Sequence, residues 1–88
     1  MKKQTVTIEI ASGLEARPVA ILVQIASQYE SGIYLTRDNK KVNAKSIMGM
    51  MTLGLDAGDS IEVSTDGSDE DAAMQAMVDY LSGKDEKK

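Results

Sequence analysis

The spacing of apolar residues alternates along the chain between a period of two and a helical period, and this limits the possible folds. Residues 5–10 have the period of two, which places Val6, Ile8 and Ile10 on one face of a predicted strand. Asp and Asn at 37–40 favour a tight turn. Three further strands are predicted at residues 33–36, 41–43 and 60–65.

Helical spacing dominates three other segments. The first helix runs over 18–27 and begins with Pro18, which a first turn accepts because its missing N–H has no helical partner. A short apolar helix over 47–53 has Ser46 as its natural N-cap, and the last helix follows Ser68, also a predicted N-cap. The apolar stripes of the first and last helices are Val19, Leu22, Val23 and Ala26, and Ala73, Met74, Met77, Val78 and Leu81.

The resulting order, β-α-β-β-α-β-α, favours an α+β fold in which helices pack on one face of an antiparallel sheet. The 88 residues contain no linker and no internal repeat, which indicates one domain over residues 1–88. Gly83 is expected to end the last helix, and residues 84–88 are expected to form a solvated tail.

The composition excludes several classes of chemistry. The chain has no Cys and no His, which removes disulfides, cysteine nucleophiles, zinc clusters and the serine–histidine triad. It also lacks a glycine-rich nucleotide-binding motif. We therefore expect no enzyme, no catalytic residue, no cofactor and no metal.

The charge and the hydropathy also limit the partners. A net charge of −4 argues against direct nucleic-acid binding. The chain has no apolar run of the ~18 residues that a membrane span needs and no secretory signal, so we expect a soluble cytoplasmic protein without membrane contact.

Two segments place a polar residue at a predicted helix start. In 13–18, Glu15 lies where backbone N–H groups converge, although from the residues alone an ordinary acid near a helix N-terminus is the commoner case. In 43–51, Ser46 fits as a simple cap and the methionines as core. A helix this short and this apolar cannot bury every side, however, so part of the group Ile47, Met48 and Met51 should be exposed.

Together these segments resemble the histidine-containing phosphocarrier family, HPr. Residues 13–18 (Gly-Leu-Glu-Ala-Arg-Pro) are similar to its phosphorylation loop, and residues 42–49 are similar to its regulatory-serine signature. The resemblance covers nearly the whole chain and implies an open-faced β-sandwich of four antiparallel strands with three helices. Glu15 stands where the family has its phosphate-accepting histidine, so with Arg17 it forms a degenerate phosphohistidine site, and histidine phosphotransfer is not expected.

Members without that histidine form the catabolite repression HPr-like branch, Crh, which this chain resembles. The resemblance implies that HPr kinase/phosphorylase modifies Ser46, and that the phosphorylated form is a corepressor binding catabolite control protein A, a LacI-type regulator. By the same resemblance, Ile47, Met48 and Met51 would form the apolar contact surface. The residues implied to frame it are Arg17, Ala20, Val23, Gln24 and Lys45, with core packing an equal alternative for Val23.

Two other interpretations stay open at the level of sequence. In the first interpretation, the chain is a phosphocarrier of the sugar phosphotransferase system, with Glu15 either natural or substituted for histidine. Alternatively, it is an allosteric subunit that binds a metabolic enzyme through the same surface.

Overall fold

The computed structural model describes residues 1–10, 16–54 and 56–83, and the side chains of these residues except 16 and 17. Glu15, the side chain of Arg17 and the predicted tail over 84–88 lie outside the described residues. The strands are β1 (Lys2–Thr7), β2 (Gly32–Arg37), β3 (Lys40–Asn43) and β4 (Ser60–Asp66). The helices are α1 (Ala16–Ser27), α2 (Ile47–Met51) and α3 (Glu70–Leu81).

The four strands form one antiparallel sheet in the order β1-β4-β2-β3. Val6 of β1 pairs with Ile61 of β4, and Leu35 of β2 pairs with both Val63 of β4 and Val42 of β3. These apolar pairs are buried and face the helices, whereas the alternate positions face away from them. The predicted α+β class, with four antiparallel strands and three helices, is therefore confirmed.

The core is aliphatic, as the composition requires. Val19, Leu22 and Ala26 of α1 are fully buried, and Val23 is half-buried against the same core. The predicted stripe of α3 is confirmed, with Val78 only partly buried. Tyr80, which the pattern did not include, is 5 % exposed and belongs to the core.

The first strand occupies a different range from the predicted 5–10. Ile8 and Ile10 are buried as expected, but the chain has already left the sheet at that point. The Glu9 N–H donates to the Leu81 carbonyl of α3 at 2.8 Å and not to β4. Ile8 still exchanges hydrogen bonds with Gly58 and Asp59 just before β4, at 2.7 and 2.8 Å. Alternating burial therefore continues past the end of the ladder, because the segment lies between the start of β4 and the end of α3.

The prediction that Ser68 caps α3 is wrong. Asp69 is the N-cap residue, and its carboxylate turns away from the helix toward the start of β2. It accepts the N–H groups of Glu30 and Ser31, each at 2.9 Å, and the Ser31 hydroxyl also donates to it. We call this arrangement of Glu30, Ser31 and Asp69, together with the adjoining Gly67, the Ser31–Asp69 clamp.

Gly67 is required where it stands in the clamp. Its φ is +156°, a region that side chains rarely adopt, and a Cβ on Gly67 would lie 2.7 Å from the Ser31 Cα. The turn between β4 and α3 therefore packs directly on the backbone that enters β2, which fixes the start of α3 against the sheet.

Candidate functional site

Ser46 caps the five-residue helix α2, as predicted. Its backbone is extended, with φ −113° and ψ 113°, and its Oγ accepts the Gly49 N–H at 3.2 Å. The residue itself is exposed to solvent. The hydroxyl is thus held in one place by a single backbone bond and is still accessible from outside.

The side chains of α2 divide into one buried anchor and an exposed apolar group. Met50 is fully buried, whereas Ile47, Met48 and Met51 are 49 %, 81 % and 47 % exposed. We call the exposed group the α2 apolar surface. Large apolar side chains clustered in this way beside an accessible hydroxyl are typical of a contact surface, and thioether side chains adapt readily to different partners.

Helix α1 contacts α2, and part of α1 remains exposed. Ala20 is half-buried and Gln24 is exposed, as expected for residues that frame a contact surface. Ile21, which we had not selected, is 38 % exposed and shares this face, since 20, 21 and 24 follow helical spacing. Ile21 lies outside the predicted buried stripe of α1, so the helical spacing already placed it away from the core.

Val23 lies at the border between the core and the exposed side of α1. It packs against the core yet remains half-exposed. The structure therefore brings Ala20, Val23 and Gln24 together on α1, and joins α1 to α2. It does not place the Glu15 or Arg17 side chains, so the degenerate phosphohistidine site stays a prediction from sequence.

Two lysines attach the α2 region to its neighbours. The Lys45 Nζ donates to the Tyr29 carbonyl at 2.8 Å, just after the end of α1. The Lys40 Nζ donates to the Thr52 carbonyl at 3.0 Å, at the opposite end of α2. The backbone N–H of Lys45 also donates to Asn43 Oδ1 at 2.8 Å, so hydrogen bonds hold the loop from β3 into α2.

The displaced pKa values belong to the start of α3 and not to α2. The Ser31 hydroxyl, followed by the Glu30 N–H, lowers the pKa of Asp69. The Gly67 N–H lowers the pKa of Glu70, and Asp71 raises the pKa of Lys2 through an ion pair of 2.9 Å. These shifts follow from hydrogen bonds and ion pairs that connect strands to a helix, so they describe structural contacts.

Two features are absent from the described part of the chain. Residues 1–10, 16–54 and 56–83 contain no grouping of three or more acidic, His or Cys side chains that could hold a metal ion. No helix within these ranges has the length and apolarity to cross a membrane.

Comparison with known proteins identifies the family. Residues 2–83 match the family model described as the PTS HPr component phosphorylation site. The HPr-like protein Crh of Halalkalibacterium halodurans is 43% identical over 81 residues, which cover 92% of this chain and 96% of that protein. The chain therefore belongs to the HPr family, as the resemblance in its sequence implied.

Solved structures agree with this assignment. HPr-C-His from Thermoanaerobacter tengcongensis superposes with a TM-score of 0.92 at 46% identity, covering 100% of this chain and 99% of that one. The phosphocarrier protein HPr from Bacillus anthracis gives 0.88 at 40% identity, covering 91% and 95%. Identity alone does not separate a Crh-like protein from a phosphocarrier, so the distinction depends on individual residues.

Proposed function

We propose that this chain is a single-domain regulatory member of the HPr family that acts in the cytoplasm and is switched by phosphorylation of Ser46. HPr kinase/phosphorylase adds the phosphate, and the phosphorylated form binds catabolite control protein A as a corepressor in carbon catabolite repression. The protein is a binding partner and not an enzyme. The observation that carries the proposal is an exposed Ser46 hydroxyl directly beside the α2 apolar surface.

The missing histidine supports regulation over phosphate relay. Phosphate transfer in this family needs an imidazole nitrogen, and the chain contains no histidine. The residue at the matching position, Glu15, carries a negative charge that opposes attack on a phosphate donor. Ser46 is then the family phosphorylation position that this sequence retains.

The geometry of Ser46 suits a modification that creates a binding determinant. Phosphate adds about −1.5 to −2 charge and three strong acceptor oxygens. On Ser46 this charge would stand next to Ile47 and Met48, which are already exposed. The combination gives a partner both an apolar contact and a charged one, so phosphorylation changes affinity without requiring a new fold.

The rest of the proposed partner surface follows from α1 and the loop before α2. Ala20, Val23 and Gln24 supply a half-buried to exposed strip on α1, and Lys45 stands at its junction with α2. We include Arg17 in this surface from the family resemblance. Ile21 extends it with a further apolar contact.

The phosphorylation step is tested by incubating the purified protein with HPr kinase/phosphorylase and ATP, and by measuring incorporated phosphate with mass spectrometry. Wild type should take up one phosphate, and Ser46→Ala none. Ser68→Ala is the matched control, because Ser68 is also exposed and also precedes a helix, and it should label like wild type. Equal labelling of Ser46→Ala and wild type would refute the proposal.

The binding step is tested by titrating the phosphorylated and unmodified forms against purified catabolite control protein A. Phosphorylated wild type should bind at least tenfold more tightly, and Met48→Ala should reduce that affinity. Equal affinity of the two forms for the regulator, together with phosphorylation-dependent capture of a metabolic enzyme, would favour the allosteric-subunit interpretation instead.

Phosphate relay is tested by a phosphoenolpyruvate-dependent transfer assay with the sugar phosphotransferase enzymes. We expect no transfer to wild type, and transfer to Glu15→His if the rest of the phosphorylation loop is intact. Robust transfer to wild type would establish the phosphocarrier interpretation and contradict ours.

A further inference from the structure

Gly49 is the third residue of α2, in its first turn after Ser46, and the fold does not require glycine there. It lies inside α2, with none of the positive φ values found at Gly54, Gly58, Gly67 and Gly83. A Cβ on Gly49 would lie 3.6 Å from the Val42 Cβ, an ordinary van der Waals contact. Alanine therefore fits this position in the unmodified protein and is the better helix former.

The same added carbon would stand beside the Ser46 hydroxyl. It would lie 3.5 Å from Ser46 Oγ and 3.7 Å from Ser46 Cβ. At 3.5 Å the bare hydroxyl and a methyl group are compatible. A phosphoryl group on Oγ carries three more oxygens, and any of them turned toward α2 would come closer to that methyl than Oγ itself.

We propose that Gly49 is a specificity-determining residue for Ser46 phosphorylation, because the absence of a Cβ leaves space beside Oγ, next to the Gly49 N–H that Oγ accepts, for the phosphoryl group and the kinase. This inference rests on the proposed function, since it assumes that Ser46 is the phosphorylated residue. It adds that the chain accepts the helix-weakening effect of glycine for access to Oγ and not for folding.

Gly49→Ala separates these two roles, because it should reduce access to Ser46 Oγ while it raises the stability of the protein. Its Tm should rise by about 2 to 6 °C, from better helix propensity in a domain of this size. Its rate of phosphorylation by HPr kinase/phosphorylase at subsaturating protein should fall at least tenfold. Because the variant is expected to be more stable than wild type, loss of labelling cannot be assigned to unfolding.

Thr52→Ala is the matched control for the stability of α2. Thr52 follows the last turn, and its Oγ1 donates to the Gly49 carbonyl at 2.6 Å, so its removal weakens α2 without adding an atom near Ser46. Thr52→Ala should lower the Tm slightly and label at the wild-type rate. A kinase that senses only the stability of α2 would instead respond to the two variants in opposite directions, because Gly49→Ala stabilises α2 and Thr52→Ala weakens it.

Four results decide the matter. Loss of labelling in Gly49→Ala alone, with a raised Tm, supports the proposal. Equal labelling of wild type and Gly49→Ala overturns it while the role of Ser46 stands. Labelling that falls in Gly49→Ala and rises in Thr52→Ala overturns it in favour of helix stability. Absence of labelling in wild type refutes the proposed function itself.

Discussion

Ser31 and Ser46 each bond to the start of a helix, yet the structure uses them in different ways. Ser31 is 1 % exposed, and its hydroxyl donates to the Asp69 carboxylate that begins α3. Ser46 is exposed, and its Oγ accepts the Gly49 N–H of α2. The first hydroxyl is enclosed by its partners, whereas the second has one partner and open solvent. The surroundings of a serine therefore decide whether it stabilises the fold or offers a position for modification.

Glycine neighbours repeat this contrast. Gly67 packs against the Ser31 backbone so closely that a Cβ has no room, whereas a Cβ on Gly49 fits beside Ser46. Gly67 thus packs tightly in the Ser31–Asp69 clamp, whereas the backbone of Gly49 leaves space beside the Ser46 hydroxyl. The following experiments test how sharply the two regions differ.

The largest expected effect is that of Gly67→Ala on stability. The new Cβ would lie 2.7 Å from the Ser31 Cα, and the φ of +156° is itself unfavourable for alanine. Strain and displacement together should lower the free energy of unfolding by about 2 to 4 kcal/mol in urea denaturation.

Gly54→Ala is the control for Gly67→Ala. Gly54 has a φ of +60°, but an added Cβ meets no atom of the described residues within 4 Å. Gly54→Ala should lower the free energy of unfolding by about 1 kcal/mol, the cost of backbone strain alone. If Gly67→Ala and Gly54→Ala lower the free energy of unfolding equally, the close packing of Gly67 on Ser31 does not contribute to stability.

Removal of each hydroxyl compares the two serines directly. Ser31→Ala should lower the free energy of unfolding by about 1 to 2 kcal/mol, because a buried hydrogen bond is lost. Ser46→Ala should lose about 0.5 to 1 kcal/mol, the usual value for a weak helix cap. A larger loss for Ser46→Ala, measured by denaturant titration of both variants, would reverse the proposed division of roles.

Acid should weaken the clamp in a predictable direction. The pKa of Asp69 is lowered in the folded protein, chiefly by the Ser31 hydroxyl and then by the Glu30 N–H. A lowered carboxyl pKa stabilises the fold above its ordinary value of 3.8, and this contribution is lost as pH falls through the folded pKa. The Tm difference between wild type and Asp69→Asn should therefore be full at pH 6 and shrink below pH 4.

Glu70 titrates in the same range, because the Gly67 N–H lowers its pKa as well, but it is present in both proteins. A Tm difference between wild type and Asp69→Asn that stays constant from pH 6 to pH 2.5 would show that the charge on Asp69 does not contribute.

The smallest effect on stability is expected for Met48→Ala. Met48 is 81 % exposed, so its truncation should change the free energy of unfolding by less than about 0.5 kcal/mol. Its effect on binding should be far larger, because an exposed apolar anchor loses its partner pocket. A substantial loss of stability in Met48→Ala would show that the α2 apolar surface is part of the core.

Much of the fold was predictable because its elements have strong local signals. Strand signals located β2 and β4, and helical spacing located the buried faces of α1 and α3. The end of β1 was not predictable, because Ile8 and Ile10 remain buried after the ladder stops, between the start of β4 and the end of α3.

The site was predictable where chemistry is local. Ser46 as cap and the exposure of Ile47, Met48 and Met51 follow from the shortness and apolarity of α2. The cap of α3 was not predictable, because Asp69 accepts hydrogen bonds from Glu30 and Ser31, which lie 39 and 38 positions earlier in the chain. No local sequence pattern records such a contact. Ile21 was missed although its helical spacing placed it outside the predicted buried stripe of α1.

The Lys45 contact with the Tyr29 carbonyl has a consequence for the entropy of binding. It attaches the loop that precedes α2 to the end of α1, so both halves of the proposed contact surface are held together before a partner arrives. A surface that is already ordered does not lose that conformational freedom on association. We therefore expect affinity for a partner to depend on a lysine whose ammonium group faces the protein itself.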